Sequence, residues 1–332
     1  MGALLIGLTG LAAPGFAHGL LGQRRAMWIV IAAIVASLAL VTITVWALGL
    51  AVAILVGSMV DAGLRYRRLG DAVRYRWVDP LIAFVVSISL AIAMRALVVE
   101  AFRLPSSSMY PTLQIGDHIF VDKLTAHRRS PRRGELIVFR HPCSPAVDYV
   151  SRVIAVGGDT VEVRCSIVYV NGAAVTRTLV DANASYLDTD YGSGSWSTRK
   201  VSRYRETLDG ASHDVFHDAE QPLRDDRRRT SAIGDDSKDF PSDTLASCGS
   251  SMMERPQAVG ESQPGKLVST GEQKAQCAAF RHYVVPADHV FVLGDNRSNS
   301  NDSRYWGSVP YGNVKGRVVG IWLPIGRFGA VD

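Results

Sequence analysis

Ser106 and Ser108 stand two residues apart in Phe102-Arg-Leu-Pro-Ser-Ser-Ser108-Met-Tyr-Pro-Thr-Leu-Gln-Ile-Gly116-Asp, just beyond a strongly apolar segment and next to a predicted strand. A serine hydroxyl attacks a carbonyl only when a base removes its proton, and the oxygen of the attacked carbonyl needs donors aimed at its developing charge. Ser108 is the candidate nucleophile, because Met109, Tyr110 and Pro111 restrict the backbone around it. Ser106 is placed to turn its hydroxyl toward the oxyanion together with the Ser108 amide. Taken alone, a Ser-rich loop is equally a simple turn.

The elements that must position these hydroxyls begin near residue 100, where short alternating runs replace the apolar ones. His118-Ile-Phe-Val-Asp, Glu135-Leu-Ile-Val-Phe, Tyr149-Val-Ser-Arg-Val-Ile-Ala-Val, Thr160-Val-Glu-Val, Ile167-Val-Tyr-Val and His289-Val-Phe-Val-Leu read as strands. Gly116, Gly134, Gly157-Gly158 and Asn171-Gly172 punctuate them. The expected fold is mostly β: an antiparallel β core over 100–175 and 281–325, an irregular second lobe or insertion over 176–280, and a tail over 326–332.

Ahead of that core the chain is made for lipid. Its hydrophobic fraction is 47% of 332 residues, and the excess is local. Met27 to Val60 holds no charged side chain, which predicts a hairpin of two short helices turning near Thr42 to Gly49, or one long tilted helix. A further span is expected over 80–99, with Arg95 reaching the interface. Residues 1–26 then form a cytoplasmic segment and 61–79 a cytoplasmic Arg-rich loop containing Arg65, Arg67, Arg68, Arg74 and Arg76, which leaves everything after Glu100 outside. The Met1 to Ala13 run lacks a positive n-region and does not read as a cleaved signal peptide.

The net charge of +5 comes largely from arginines that can face anionic phospholipid, and no nucleic-acid motif is present. Cysteines fall at 143, 165, 248 and 277; an exported domain permits disulfides, four cysteines allow three complete pairings among which the sequence does not choose, and Cys248 with Cys277 is the favoured one because it would staple the least regular region. No spacing resembles a zinc site, and the reading calls for no cofactor.

Beside the serine segment, the chain carries Arg133-Gly134-Glu135 leading into an apolar strand, Asp148-Tyr-Val-Ser-Arg152-Val-Ile-Ala-Val-Gly-Gly158-Asp159, and Gly294-Asp-Asn-Arg-Ser-Asn-Ser300-Asn-Asp302-Ser-Arg304-Tyr-Trp-Gly. Together these resemble bacterial type I signal peptidases, membrane-anchored serine endopeptidases that remove leader peptides from exported precursors. The resemblance spans about residues 100 to 325 and is weakest in the middle. It implies Ser108 as nucleophile, Ser106 as oxyanion donor, Ser300 orienting the general base, and Asp302 with Arg304 as a supporting ion pair. Phe102, Leu104, Pro105 and Val150 would line small pockets that accept Ala-x-Ala.

One position departs from the family. Its general base is a lysine immediately before the arginine of the third element, where this chain has Ser151; the histidine of the ER-type relatives is absent too. A lysine in an apolar setting is a usable base, whereas a serine hydroxyl is not, and Arg152 stays protonated. Lys123, His127 and His141 are the nearby substitutes in sequence.

The resemblance implies a signal peptidase I-like endopeptidase of the bacterial inner membrane, its catalytic domain outside, acting on exported preproteins close to the secretion translocon. The competing reading is an impaired or inactive homologue that binds signal peptides without cleaving them. A self-cleaving repressor with a similar Ser-Lys fold is disfavoured by the apolar runs and by the lack of a DNA-binding helix pair.

Overall fold

A computed structural model of the chain describes residues 2–41, 43–44, 46–69, 77–189, 194–217, 239–241, 248, 265–275 and 277–331. Met1–Phe102, Ile119–Leu124 and Val319–Ala330 form one compact unit; Arg103–His118, Thr125–Val318 and Val331–Asp332 form another.

The first unit opens with helices α1 (Gly2–Leu8), α2 (Phe16–Leu20), α3 (Arg24–Leu40), α4 (Ala47–Leu69) and α5 (Val78–Leu97). Helices α4 and α5 are long and apolar enough to cross a membrane, while the 17 residues of α3 lie at the lower limit for a span. Leu50, Val56 and Val60 on α4 and Leu81, Val85 and Ile92 on α5 are exposed, an apolar surface that lipid solvates and water does not. Small residues set the close contacts. A Cβ on Gly63 would lie 2.8 Å from the Ala3 carbonyl, and one on Gly7 would lie 2.7 Å from that of Met59, so α1 sits directly on the α4 backbone.

The Arg-rich stretch expected as a loop over 61–79 is helical to Leu69. Asp61 accepts from Arg65 Nε at 2.7 Å one turn later, and arginine is a good helix former, so α4 continues through Arg65, Arg67 and Arg68. Arg74 and Arg76 lie outside the described residues. Asp79 is buried at the start of α5, and Arg24 Nε donates to both its oxygens, at 3.0 and 3.1 Å. Strands β1 (Val99–Arg103) and β2 (His118–Asp122) follow the helices, and helix α6 (Lys123–Arg128) comes next.

The second unit is antiparallel β. Its strands are β3 (Leu136–Arg140), β4 (Asp148–Val156), β5 (Thr160–Arg164), β6 (Ile167–Val170), β7 (Ala173–Ala174), β8 (Thr176–Thr189), β9 (Trp196–Leu208), β10 (Ala211–His217), β11 (Lys266–Ser269), β12 (Arg281–Val284), β13 (His289–Leu293) and β14 (Val309–Pro310). A short helix α7 (Ser303–Trp306) lies between the last two. Strand β15 (Val314–Leu323) gives its first half to this unit and its second half to the other, where β16 (Gly329–Ala330) pairs with it.

The strand orders are β15-β3-β4-β13-β14, β11-β12-β5-β6-β7 and β10-β9-β8. Asn171 and Gly172, at φ +52° and +77°, make the turn between β6 and β7 that needs two left-handed residues. Ile154, Val163, Phe240, Tyr283, Phe291 and Leu293 form one core, and Ile137, Phe139, Val153, Val292 and Trp306 a second.

Two expectations are corrected here. Residues 176–217 are not irregular: β8, β9 and β10 form a regular three-stranded sheet. Its solvent face is held by cross-strand charge pairs such as Arg205 Nε to Asp214 Oδ1 at 2.8 Å, which makes a real strand look like a polar loop. The remainder of the expected lobe lies mostly outside the described residues. The disulfides are Cys143–Cys248 and Cys165–Cys277, not Cys248–Cys277. Each ties a turn of the β core to a residue more than a hundred positions later, because bridging requires Cα atoms about 5 Å apart rather than proximity in sequence.

Candidate active site

Past Arg103 the chain runs through Leu104, Pro105 and Ser106 and then turns over residues 107–112. Leu104 N donates to Asp117 O at 2.9 Å and Gly116 N donates back to Leu104 O at 2.8 Å, which closes the loop 104–117 at its neck. Inside it, Tyr110 N donates to Ser107 O at 3.1 Å and Leu113 N to Met109 O at 2.9 Å. Met109 and Leu113 are buried and anchor the loop, and Ser108, just before them, stays half-exposed. Ser106 Oγ lies 3.1 Å from Ser108 Oγ, so the two hydroxyls share one hydrogen bond.

The loop after β13 forms the facing wall. Asn296 N donates to Ser108 O at 3.0 Å, and Asn296 Nδ2 to Ser107 O at 3.0 Å. A Cβ on Gly294 would lie 2.5 Å from Ser108 O and would overlap the Ser300 side chain, so both serines close on the bare face of this glycine. Gly294→Ala is expected to displace the Ser108 backbone and to slow phosphonylation of Ser108 by a fluorophosphonate about 10²-fold, with the thermal midpoint showing that the fold survives. An unchanged labelling rate would refute this packing.

Asp302 and Arg304 pair as the resemblance implies: Arg304 Nε donates to Asp302 Oδ1 at 2.8 Å and Nη2 to Oδ2 at 2.9 Å. Asp302 Oδ2 also accepts from Gly294 N at 3.0 Å, and Arg304 Nη2 donates to Arg297 O at 2.8 Å. Burial works against the Arg304 charge, but Asp302 outweighs it and raises the guanidinium above its ordinary value.

Ser151 and Arg152 leave β4 on opposite faces. Arg152 Nε and Nη2 donate to Asp295 Oδ1 and Oδ2 at 2.9 and 2.8 Å, and Nη1 to Gly134 O at 2.8 Å. Gly134 in turn donates its amide to Val153 O at 2.8 Å. Burial pushes the Asp295 carboxyl up, but Arg152, with His213 and a 2.5 Å bond from Thr112 Oγ1, overrides this and holds it below the ordinary carboxylate value. Arg152 is thus structural and fully engaged.

Ser151 lies buried opposite Ile137, on the face it shares by alternation with Tyr149 and Val153, and its hydroxyl donates to Val150 O at 2.8 Å. No hydrogen bond joins it to the serine loop. Of the substitutes, His141 accepts on Nδ1 from the amides of Cys143 and Ser144 at 3.3 and 3.1 Å, and burial lowers its pKa to about 4. Its basic lone pair is consumed. Lys123 pairs with Glu100 at 3.4 Å, and His127 sits on α6. Leu104 is buried, Pro105 exposed and Val150 half-buried; Phe102 lies on β1, in the other unit.

Sequence reading missed the acidic residues that the β8–β10 sheet contributes. Arg297 donates to Glu206 Oε1 and Oε2 at 3.0 and 2.6 Å, with His213 and His217 at 3.7 and 3.8 Å from the same carboxylate. Ser107 Oγ donates to Asp188 Oδ1 at 2.7 Å. The one available signal was alternation near the end of β8, where Ala184, Tyr186 and Asp188 point inward and Ser185 and Leu187 outward. Among the described residues, no cluster of His, Cys, Asp or Glu is arranged to hold a metal.

The family model for "Signal peptidase, peptidase S26" matches residues 74–323. The chain is 31% identical over 232 residues to signal peptidase I of Aquifex aeolicus, which covers 69% of this chain and 77% of that one. It is 27% identical over 264 residues to signal peptidase I of Pseudomonas aeruginosa, covering 73% and 70%, and 26% identical over 252 residues to that of Leptolyngbya laminosa, covering 74% and 78%.

Proposed function

Because the chain belongs to the signal peptidase S26 family, we propose that it is a signal peptidase I-type serine endopeptidase that cuts exported preproteins after small residues, and that it works slowly for want of a base. The observation that carries this reading is the Ser106–Ser108 contact at 3.1 Å, backed by the Gly294 and Asn296 wall. Ser108 Oγ attacks the scissile carbonyl, and the Ser106 hydroxyl with the Ser108 amide receives the oxyanion. Collapse of the tetrahedral intermediate breaks the C–N bond and expels the amine of the mature chain, which takes up, through water, the proton that Ser108 gave up; water then hydrolyses the ester, frees the leader peptide and restores the Ser108 hydroxyl. Ser300 lines the same wall, and Asp302 with Arg304 keeps that wall in place. Leu104, Pro105 and Val150 supply the small apolar pockets.

The proton is the weak step. Ser151 takes the place of the family lysine and donates to a backbone carbonyl, so it offers no basic lone pair, and attack relies on water. The same observation favours a second reading, a scaffold that holds signal peptides and leaves them intact.

The hairpin over 27–60 and the span over 80–99 anchor the protein with three crossings of the bacterial inner membrane. Arginines 65, 67 and 68 keep the α4–α5 connection in the cytoplasm beside anionic phospholipid. Two disulfides suit an extracytoplasmic peptidase unit, where oxidising conditions preserve them.

The test is incubation of purified full-length protein in detergent with a model preprotein carrying Ala at the first and third positions before the cut. Slow cleavage lost in Ser108→Ala supports the peptidase reading. Binding without cleavage selects the scaffold, and neither binding nor cleavage overturns both.

A further inference from the structure

We propose that Asp188, at the end of β8, is a positioning residue for the nucleophile loop and acts through the hydroxyl of Ser107. The inference rests on Ser108 being the nucleophile.

Ser107 lies between the oxyanion donor and the nucleophile, so the direction of its side chain sets the directions of both neighbours. Its hydroxyl donates to Asp188 Oδ1 at 2.7 Å, and Asn299 Nδ2 donates to Asp188 Oδ2 at 2.9 Å and to Ser107 Oγ at 3.1 Å. Ser107 and Asp188 are 3% and 5% exposed, so water cannot stand in for either partner. A hydroxyl bonded to a buried carboxylate is charge-assisted and directional, as is the bond from Thr112 to Asp295 farther along the loop. The Ser107 carbonyl is held independently, by Asn296 Nδ2 and Tyr110 N.

The same sheet grips the loop again beyond the nucleophile. Tyr110 lies against Tyr186 with ring centroids 4.9 Å apart, and Tyr186 stacks on Phe216 of β10 at 5.6 Å. Asn299 Nδ2 also lies 3.1 Å from the Tyr186 hydroxyl, so its two N–H groups are shared among three acceptors and join the two grips. Residues 107 and 110 are therefore both fixed from the β8–β10 sheet, and Ser108 is suspended between them. The sheet that reads in sequence as a polar insertion is in this account part of the machinery that aims the nucleophile.

The test uses the full-length protein in detergent with Asp188→Ala, Ser107→Ala and the double variant. Each single change is expected to lower the maximal rate of Ser108 labelling by a fluorophosphonate at least about tenfold while leaving its binding constant unchanged. Amide hydrogen exchange should quicken over residues 104–113. The double variant should be no slower than the worse single one, because the two groups act as one unit. Additive losses, or unchanged labelling and exchange, overturn the proposal. Ser107→Ala removes one oxygen only and keeps the test valid where Asp188→Ala fails to fold. If wild type does not label, Ser108 is not activated toward the probe, the preprotein assay decides the nucleophile reading, and exchange alone decides whether Asp188 orders the loop.

Discussion

Ser151→Lys is expected to raise preprotein cleavage by roughly 10²–10⁴-fold, the range that a positioned general base supplies. The site suits an amine. Position 151 is buried, faces Ile137 across the β3–β4 ladder and shares its side with Tyr149 and Val153, so a lysine stem would lie in apolar surroundings. Desolvation there disfavours the ammonium and lowers its pKa toward neutrality, leaving a free amine to take the Ser108 proton. The rate should rise with pH through that lowered pKa, and Ser108→Ala in the same background should remove the gain. Unchanged cleavage in a folded Ser151→Lys protein would show that the missing base is not what limits the reaction.

Glu206→Ala is expected to cost about 3–5 kcal/mol of stability, measured by urea or thermal unfolding, because it leaves the Arg297 guanidinium buried without its counter-charge. The damage should reach the serine site, since Arg297 Nε also holds Gly294 O at 3.1 Å and its carbonyl receives Arg304. The cluster predicts acid sensitivity as well. Burial is the main cause that lowers His213 and His217 to about 4; Arg152 and Arg297 add to it at His213, Arg297 and Arg177 add to it at His217, and Glu206 opposes it at both, joined at His213 by Asp295.

Both histidines are thus neutral in the fold and take up protons more readily when unfolded. Their contribution is complete above about 6.5 and is lost as pH falls toward 4. Burial opposes the Glu206 charge, but Arg297 and the two histidines hold its carboxyl well below the ordinary value, so its share is present above the usual carboxylate range and is lost only at lower pH. The melting temperature should fall between pH 7 and 4.5, and less so in the His213→Gln/His217→Gln variant. A flat profile would contradict this.

The antiparallel β class, the apolar helices and the order of the serine, Arg-Gly-acidic and Gly-Asp-Asn-Arg segments were legible in the amino-acid sequence. Each is written in consecutive residues: alternation gives a strand, an uncharged run gives a membrane helix, and a motif keeps its spacing. The identity of residue 151 and its lack of basicity were equally plain. The sequence did not reveal which cysteines meet, that Arg152 is consumed by Asp295, that Glu206 neutralises Arg297, or that Asp188 holds Ser107 across 81 positions. Asp188 and Glu206 look in sequence like any solvated carboxylate of a polar hairpin. Only folding removes them from water and gives each a partner, because local periodicity states which side of a strand a charge occupies but not what stands opposite.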